Sequence, residues 1–526
     1  MSIFRRLSNG LSCGDSIPFY HDGMYHLFFL SVPENTVRYP ERVRNTWQHV
    51  VSKNLVEWEE MQPALLPGDG TKLDQDGCWT GSVIYAEGKY HIFYTGYHID
   101  SEFPQTICHA VSDDCVTFEK DLNNPIIVPD IRYYENIDWR DPYIFYNEEE
   151  MEYWMLIAAR KNSGPSNRRG VVVLYKSKDL QEFEHWGVIY EPWHTNCPEC
   201  PEMYKMGEYW YLVYSRFSER AQTIYRYSKS PYGPWRTPKF DGIDNRRFYA
   251  AKSLIDNRGR RIYFAWTPER EKQSDDELWQ TGGDFAIPHQ AIPMGDGNLK
   301  IVMPEEIEKY FQAQKLKHSF NKKLGNIKMY GEKALEILSV GTLSYGFFEV
   351  EQNNFMMECN IKASDCADYF GLTINTDEDI DNGYLLAFNR ATQAVSINKL
   401  PAPLDPFWAT LSGKEIIAGE VDGPRVCEKS FPFKDGDIIN VKCILTDSMI
   451  EIFIGEMIAF SYRTYRKMPF RIGVFAQDCN VEFHNITFTI EKSYRRKEIK
   501  NPCKYHTDSV WMFTRIFCDI ITEIFS

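Results

Sequence analysis

The chain has 526 residues, enough for two to four domains with cores of their own, which excludes a small scaffold held by disulfides. Lys plus Arg number 59 against 74 Asp plus Glu, a formal net charge of -15 with no long basic run, and this argues against nucleic acid as a partner. No run of about 18 apolar residues occurs, and Met1 to Ser8 lack the apolar centre of a secretory signal, so the expectation is a soluble, cytoplasmic protein with no transmembrane segment. The 13 cysteines, odd in number and without a repeating spacing, read as reduced thiols. Aromatic residues make up 15% of the chain beside 32 Gly and 27 Pro, a mixture that favours short strands joined by turns.

A turn followed by an aromatic, alternating strand recurs as Asp22-Gly23-Met24-Tyr25-His26-Leu27-Phe28, Glu87-Gly88-Lys89-Tyr90-His91-Ile92-Phe93 and Met206-Gly207-Glu208-Tyr209-Trp210-Tyr211-Leu212, with weaker copies at Met151 to Leu156 and Arg258 to Phe264. From Tyr25 the equivalent points fall at Tyr90, Tyr153, Tyr209 and Arg261, in steps of 65, 63, 56 and 52 residues. A second marker, Ser52 to Trp58, returns as Ser112 to Phe118 and Ser177 to Phe183, with a degenerate copy from Ser228 to Trp235. Five units of short strands with almost no helical periodicity predict a five-bladed β-propeller over residues 1–305, because radially packed blades bury both faces and leave only short edges.

Met303 to Tyr310, with Pro304 near its start and acids in its first turn, predicts a short helix within a linker over 306–320. Strand alternation in Tyr345 to Glu351, Gly383 to Phe388 and Ile450 to Ile454 predicts two antiparallel sheets packed face to face, a β-sandwich over 321–492. The fold class is therefore all-β. In the tail, 493–526, Val510 to Phe525 carries apolar residues at helical spacing, too short to span a bilayer. This amphipathic helix would dock on its own protein, or meet a membrane surface or a second subunit, and the sandwich offers another surface for a homo-oligomer.

The first strand of each blade lines a propeller's central channel, so acids at blade starts converge although they are far apart in sequence. Asp15, Asp141 in Trp139-Arg140-Asp141-Pro142, and Glu199 in Cys197-Pro198-Glu199-Cys200-Pro201 stand at such positions. A retaining glycosidase needs one ionised carboxylate as nucleophile and a second carboxyl kept protonated as general acid, and neighbouring carboxylates raise one another's pKa. Arg140 can keep Asp141 charged. Each acid alone reads more readily as a turn or helix-capping residue, and only the three together turn the reading toward chemistry.

Asp15 with Pro18, Asp76-Gly77-Cys78-Trp79-Thr80-Gly81-Ser82, Trp139 to Pro142, Pro198 to Pro201 and Phe248-Tyr249-Ala250-Ala251-Lys252-Ser253 resemble, in that order, the motifs of glycoside hydrolase family 32. Trp47-Gln48-His49 with Ser52 to Trp58 is similar to another segment of that family, and residues 343–490 are similar to its C-terminal sandwich. The resemblance implies a retaining β-fructosidase acting on a small-molecule carbohydrate without a cofactor or metal. It implies Asp15 as nucleophile, Glu199 as acid/base and Asp141 as the stabiliser of the transition state. Trp47, Trp79, Thr80, Arg140, Tyr249 and Trp266 match positions that line the fructose subsite. Gly14 departs from the pattern, since the family usually has Asn before the nucleophile. Within residues 31–46, Arg38, Arg42 and Arg44 read as part of a solvated loop or as a phosphate contact.

Cys197 and Cys200 form a lone Cys-x-x-Cys, which lacks the second pair of a zinc site and the helix of a redox site, and read as packing beside Glu199. Two other functions keep the propeller: an inverting arabinan- or xylan-type hydrolase like those of family 43, and a sugar-binding protein without activity. The Gly-Cys-Trp-Thr-Gly-Ser segment argues against the first, and the presence of all three acids against the second.

Overall fold

Each blade begins with a reversal that its turn residues make possible. Asp22 and Gly23 have φ of 46° and 78°, and Glu87 and Gly88 of 54° and 82°, so both central positions are left-handed as a two-residue type I′ turn requires. These turns join Cys13–His21 to Met24–Ser31 and Gly77–Ala86 to Lys89–Tyr97 in antiparallel register. The computed structural model describes residues 3–31, 41–69, 71–218, 220–275, 277–352, 354–401, 425–465 and 471–491. Arg38 and the helix expected at Val510 to Phe525 lie outside the described residues.

The first 305 residues form five antiparallel blades around a central channel. Their inner strands are Cys13–His21, Gly77–Ala86, Tyr134–Asn147, Glu199–Met206 and Tyr249–Ile255. Blades one to three have four strands each; the fourth has three, extended by a single bridge between Tyr227 and Arg236. The ring closes through Trp279–Phe285, which pairs with Arg261–Arg270 of the last blade and, at Gly283, with Cys13 of the first.

The second sequence marker is a turn at the end of the third strand in blades one to three. The side-chain oxygens of Asn54, Asp114 and Asp179 accept the two backbone N–H groups that lie two and three residues on. The residue after each, Leu55, Cys115 or Leu180, is buried with φ of 62°, 61° and 62°. These turns swing the chain toward the outermost strand. The aromatic excess fills the wedges between blades: Phe28 and Trp47 meet Ile92 and Tyr94, Phe93 meets Trp139 and Met155, and Trp154 meets Met203 and Leu212.

Two of these wedges hold histidine pairs, His26 with His49 and His91 with His109, each 3.0 Å apart. Burial, then the charge of a neighbouring histidine, pushes His26 down to about 4 and His49 down to about 3. The unfolded rings take protons near 6.5. Stability from the His26–His49 pair is therefore complete above pH 6.5 and declines as the pH falls toward 4, by up to about 1.4 kcal/mol per pH unit for each ring. Urea midpoints at pH 7.5 and 5.0 check this; His49→Asn should lose less stability between the two than the parent chain.

The predicted helix is present as Glu305–Phe311. Its buried residues Ile307, Tyr310 and Phe311 pack into a core shared by Phe264 of the last blade and by Ile444, Phe453 and Ala459 of the second β region. That region is a two-layer sandwich held by two long strands, Leu335–Val350 and Ile472–Ile490, which belong to both sheets. They pair along Leu343 to Phe348 with Ile472 to Gln477, and again along Leu335 to Ser339 with Cys479 to Phe483, with a register break between. The first set continues into Tyr369–Ile374 and Gly383–Asn389, the second into Phe355–Ser364 and Ile438–Leu445. Phe348, Phe370, Phe388, Ile452, Val474 and Phe483 fill the space between the layers.

At that break Cys366 and Cys479 are joined in a disulfide, which corrects the expectation that every thiol is reduced. The other described cysteines are buried.

Propeller and sandwich are joined by buried polar contacts. Arg5 Nη1 donates to Glu451 Oε1 at 2.9 Å, Arg463 Nη1 to Asp284 Oδ2 at 2.7 Å, and Ser461 Oγ to Asp244 Oδ2 at 2.7 Å. Among the described residues no helix is long and apolar enough to cross a membrane.

Candidate active site

All five inner strands break register at the same height in the channel. The irregularities fall between Cys13 and Ser16, Trp79 and Gly81, and Glu199 and Glu202, between Tyr249 and Lys252, and at Arg140 to Tyr143 where the strand faces Leu156 and Ala158. Three residues in these bulges are left-handed: Asp141 at φ 59°, Cys200 at 50° and Ala250 at 48°. A bulge leaves one residue out of the ladder and re-aims its side chain, and it tolerates the missing N–H of Pro142 and Pro201. This is how an acid beside proline, a poor ladder member, finds its place.

The cavity over these bulges has a volume of about 740 Å³. Asp15, Asp141 and Glu199 all line it, with Trp79, Thr80, Arg140, Tyr249 and Trp266. Trp47 is the exception, and its expected place on the subsite wall is corrected. It is fully buried between the first two blades, and its Nε1–H reaches the Trp79 carbonyl at 2.9 Å, so it fixes the strand that carries Trp79. Trp79 stacks on Tyr97, their ring centres 4.1 Å apart.

Both oxygens of Asp15 are held. Trp266 Nε1–H donates to Oδ1 at 3.0 Å, while the Thr80 hydroxyl and, at 3.5 Å, the Cys200 thiol donate to Oδ2. Burial raises its pKa against the Thr80 hydrogen bond, and the charge of Glu199 adds to the rise. Asp141 accepts the Cys200 N–H on Oδ2 at 2.9 Å, and its own N–H donates to Thr95 Oγ1 at 2.8 Å. Burial raises Asp141 too; Arg140, with Nε 3.9 Å from Oδ2, opposes the rise and Asp15 adds to it.

Glu199 accepts Arg140 Nη2 at 2.9 Å on Oε1 and the Tyr249 hydroxyl on Oε2. Burial shifts its pKa upward, opposed by Arg140 and reinforced by Asp141. Asp15 and Glu199 both combine a raised pKa with partial exposure, the Glu199 side chain being 21% exposed as a proton donor to a ligand must be, whereas Asp141 is buried. Arg140 is oriented in turn by Asp138 and by Gln105 Oε1 at 3.3 Å, and Arg160 binds Asp138 at 3.2 Å and the Asn196 carbonyl at 2.9 Å. These contacts tie the third blade to the segment leading into Glu199.

Cys200 does more than the packing expected of it, since its thiol meets Asp15 and its N–H meets Asp141. The Cys-x-x-Cys spacing gave no sign of this, because the left-handed φ that turns both groups inward is a property of the bulge. Among the described residues no group of His, Cys, Asp and Glu is placed to hold a metal ion.

The arginines of residues 31–46 have different fates. Arg42 is 6% exposed, bound to Glu269 at 3.0 Å and to the Thr281 carbonyl, so it is neither solvated nor at the site. Arg44 is exposed, and its charge acts on Asp76. Gly14 lines the cavity, and a Cβ there would come within 3.2 Å of both the Cβ and the carbonyl oxygen of Leu30, which takes the room a side chain would need.

The outer wall was not foreseen. It comprises Phe217, Leu278 and Trp279, with Trp279 between the guanidinium groups of Arg247 at 4.8 Å and Arg270 at 3.8 Å from its ring centre. Phe217 and Leu278 lie in connecting segments and Trp279 begins the closing strand, where no repeat points to them.

The family model described as "Glycosyl hydrolases family 32 N-terminal domain" matches residues 15–288. Raffinose invertase of Escherichia coli is 30% identical over 305 residues, covering 53% of this chain and 59% of its own length. Fructan 1-exohydrolase of Aegilops speltoides is 31% identical over 323 residues, 55% of this chain and 52% of its own. The chain thus spans little more than half the length of these curated relatives. Among solved structures, sucrose-6-phosphate hydrolase from Lactobacillus gasseri matches with a TM-score of 0.69 at 18% identity, over 94% of this chain and 93% of that one. Fructan 1-exohydrolase IIa from Cichorium intybus gives the same TM-score and identity over 93% and 97%. Both structures carry the propeller-and-sandwich fold.

Proposed function

Because the chain belongs to glycoside hydrolase family 32, we propose that it hydrolyses β-fructosides with retention of configuration. The observation that carries this reading is the cavity itself: three carboxyl groups from three blades, wired together by Cys200 and Arg140, face one sugar-sized space. Asp15, its oxygens fixed by Trp266, Thr80 and Cys200, attacks the anomeric carbon as the glycosidic C–O bond breaks. Glu199 gives its proton to the departing oxygen, then takes one from the water that cleaves the fructosyl ester. Asp141, kept charged by Arg140, binds sugar hydroxyls and balances the positive charge that grows on the ring. Trp79, Tyr249 and Trp266 offer flat faces to the fructosyl unit, and the Phe217–Trp279 wall meets the leaving group.

The reading extends to small fructosides, sucrose and raffinose types and short fructans, by analogy with the relatives above. Arg42 is committed to Glu269, so of the described arginines of residues 31–46 only Arg44 stays exposed to meet a phosphate, and sucrose is compared directly with sucrose 6-phosphate. A panel of sucrose, raffinose, sucrose 6-phosphate, inulin, levan and nitrophenyl arabinofuranoside tests this, with early NMR of the released sugar. Fructose released first in the substrate's own anomeric form is expected. Net inversion, or cleavage of the arabinoside alone, would overturn it.

Two expectations go with the proposal: a cytoplasmic place of action, against which the Cys366–Cys479 disulfide weighs, and self-association through the sandwich or the C-terminal segment. Cell fractionation and sedimentation decide them.

A further inference from the structure

The outer wall of the catalytic cavity is carried by the connection between Arg261–Arg270 and Trp279–Phe285, whose Glu271 and Leu278, with Trp279 itself, line the space. Lys272 and Gln273 within it stand at φ 54° and 50°, a left-handed conformation that costs non-glycine residues energy and persists only where the surroundings enforce it. The sandwich does so. Asp275, 7% exposed, accepts the hydroxyl groups of Tyr384 at 3.0 Å and Thr464 at 3.2 Å on Oδ2, and the Tyr465 N–H at 3.0 Å on Oδ1. The Tyr465 hydroxyl oxygen accepts the Arg270 N–H at 2.9 Å, and Tyr462, 1% exposed, meets the Trp279 ring edge-on with 6.3 Å between centres. Arg270 closes the circuit: its guanidinium lies 3.8 Å from the Trp279 ring centre and donates to the Glu277 carbonyl at 2.8 Å.

We propose that Asp275 is a positioning residue for the leaving group of the substrate. By tying the connection to the sandwich it fixes where Leu278 and Trp279 stand over the cavity, so the sugar beyond the fructosyl unit is selected by a wall held from the second β region. The acids that break the bond stand on the first, third and fourth blades, and these donors to Asp275 come from none of them. One end of the substrate is thus set by the propeller and the other by the sandwich. Three convergent hydrogen bonds hold the carboxylate in place, since its withdrawal would leave two hydroxyl groups and an N–H without their acceptor.

This inference rests on the fructosidase reading, and its test separates the two. Kinetics are measured with sucrose and raffinose, which have a sugar as leaving group, and with β-fructofuranosyl fluoride, which has none. In Asp275→Ala, KM for both sugars should rise about tenfold with kcat within about twofold, while kcat/KM for the fluoride stays at the parent value. Tyr384→Phe and Thr464→Val each remove one hydroxyl and keep the carboxylate, and should shift the sugars the same way by about two- to threefold. These milder variants carry the test if Asp275→Ala does not fold. Equal losses on the sugars and the fluoride, or no change on any of them, would overturn the proposal and leave the fructosidase reading standing. A parent chain inert toward all three substrates removes that reading and the proposal with it.

Discussion

Asp15→Ala and Glu199→Ala should each nearly abolish fructoside cleavage, the first by roughly 10⁴-fold or more and the second by roughly 10²–10⁴-fold, with melting temperatures close to that of the parent chain. Asp15 stands in a bulge outside the ladder and Glu199, paired with Ser215 through its backbone, borders one, so removal of either side chain takes away chemistry and leaves the strands paired. Azide tells their roles apart. In Asp15→Ala it can replace the missing nucleophile, attacking the anomeric carbon while Glu199 still protonates the leaving oxygen, and the product is a fructosyl azide of inverted configuration. In Glu199→Ala, given an aryl fructoside whose leaving group needs no proton, Asp15 forms the ester and azide then displaces it, so the azide product keeps the original configuration. The opposite pairing of stereochemistry and variant would exchange the two assignments.

Arg463→Ala should destabilise the fold by about 3–5 kcal/mol, read as a lower urea midpoint, and should reduce activity through the site it supports. The guanidinium is 2% exposed. It donates to Asp284 at 2.7 Å, to the Pro268 carbonyl at 2.9 Å and to the Thr267 carbonyl at 3.0 Å. Truncation leaves a buried carboxylate and two carbonyls short of partners. Thr267 and Pro268 follow Trp266 directly, so the sandwich acts at one remove on the donor to Asp15. Arg463→Met, which fills the space, should fare no better, because the loss is of hydrogen bonds and charge rather than volume. A midpoint within experimental error of the parent would show the contact to be dispensable.

The blades were legible because their turns are chemically specific: Asp22-Gly23 and Glu87-Gly88 permit a reversal that few pairs do, and the Ser-x-Asx marker returns at the end of the third strand in blades one to three. The three acids were legible by position at blade starts. What held them was not, since a bulge is a mismatch between two strands and neither carries it alone. The same holds for Cys200, whose thiol and N–H face two carboxylates only because φ is positive there. Trp47 misled because its neighbourhood in sequence matches a subsite segment while its side chain turns into the wedge between blades. Arg42 misled because Glu269 lies more than two hundred residues away. Cys366 and Cys479 are likewise brought together by two strands changing sheets, which spacing alone does not announce.

A ring of blades behaves as a hoop, and a hoop has one seam. Here the seam lies between the last blade and the first, where Trp279–Phe285 reaches Cys13 by a single paired position at Gly283. The sandwich is riveted across it: Glu451 holds Arg5 of the N-terminal segment and the Ile287 N–H, while Asp284, within the closing strand, is gripped by Arg6 from one side and Arg463 from the other. Asp15 lies two residues from Cys13, and Trp266, its donor, is in the last blade, so the nucleophile and its support stand on opposite lips of the seam. Parting of the lips by a fraction of an ångström would lengthen the Trp266–Asp15 contact before any blade loses a strand. On gentle heating or in low denaturant, activity should therefore vanish ahead of β-structure, and the sandwich, remote from the chemistry in sequence, sets how tightly the catalytic carboxylates are held in registration.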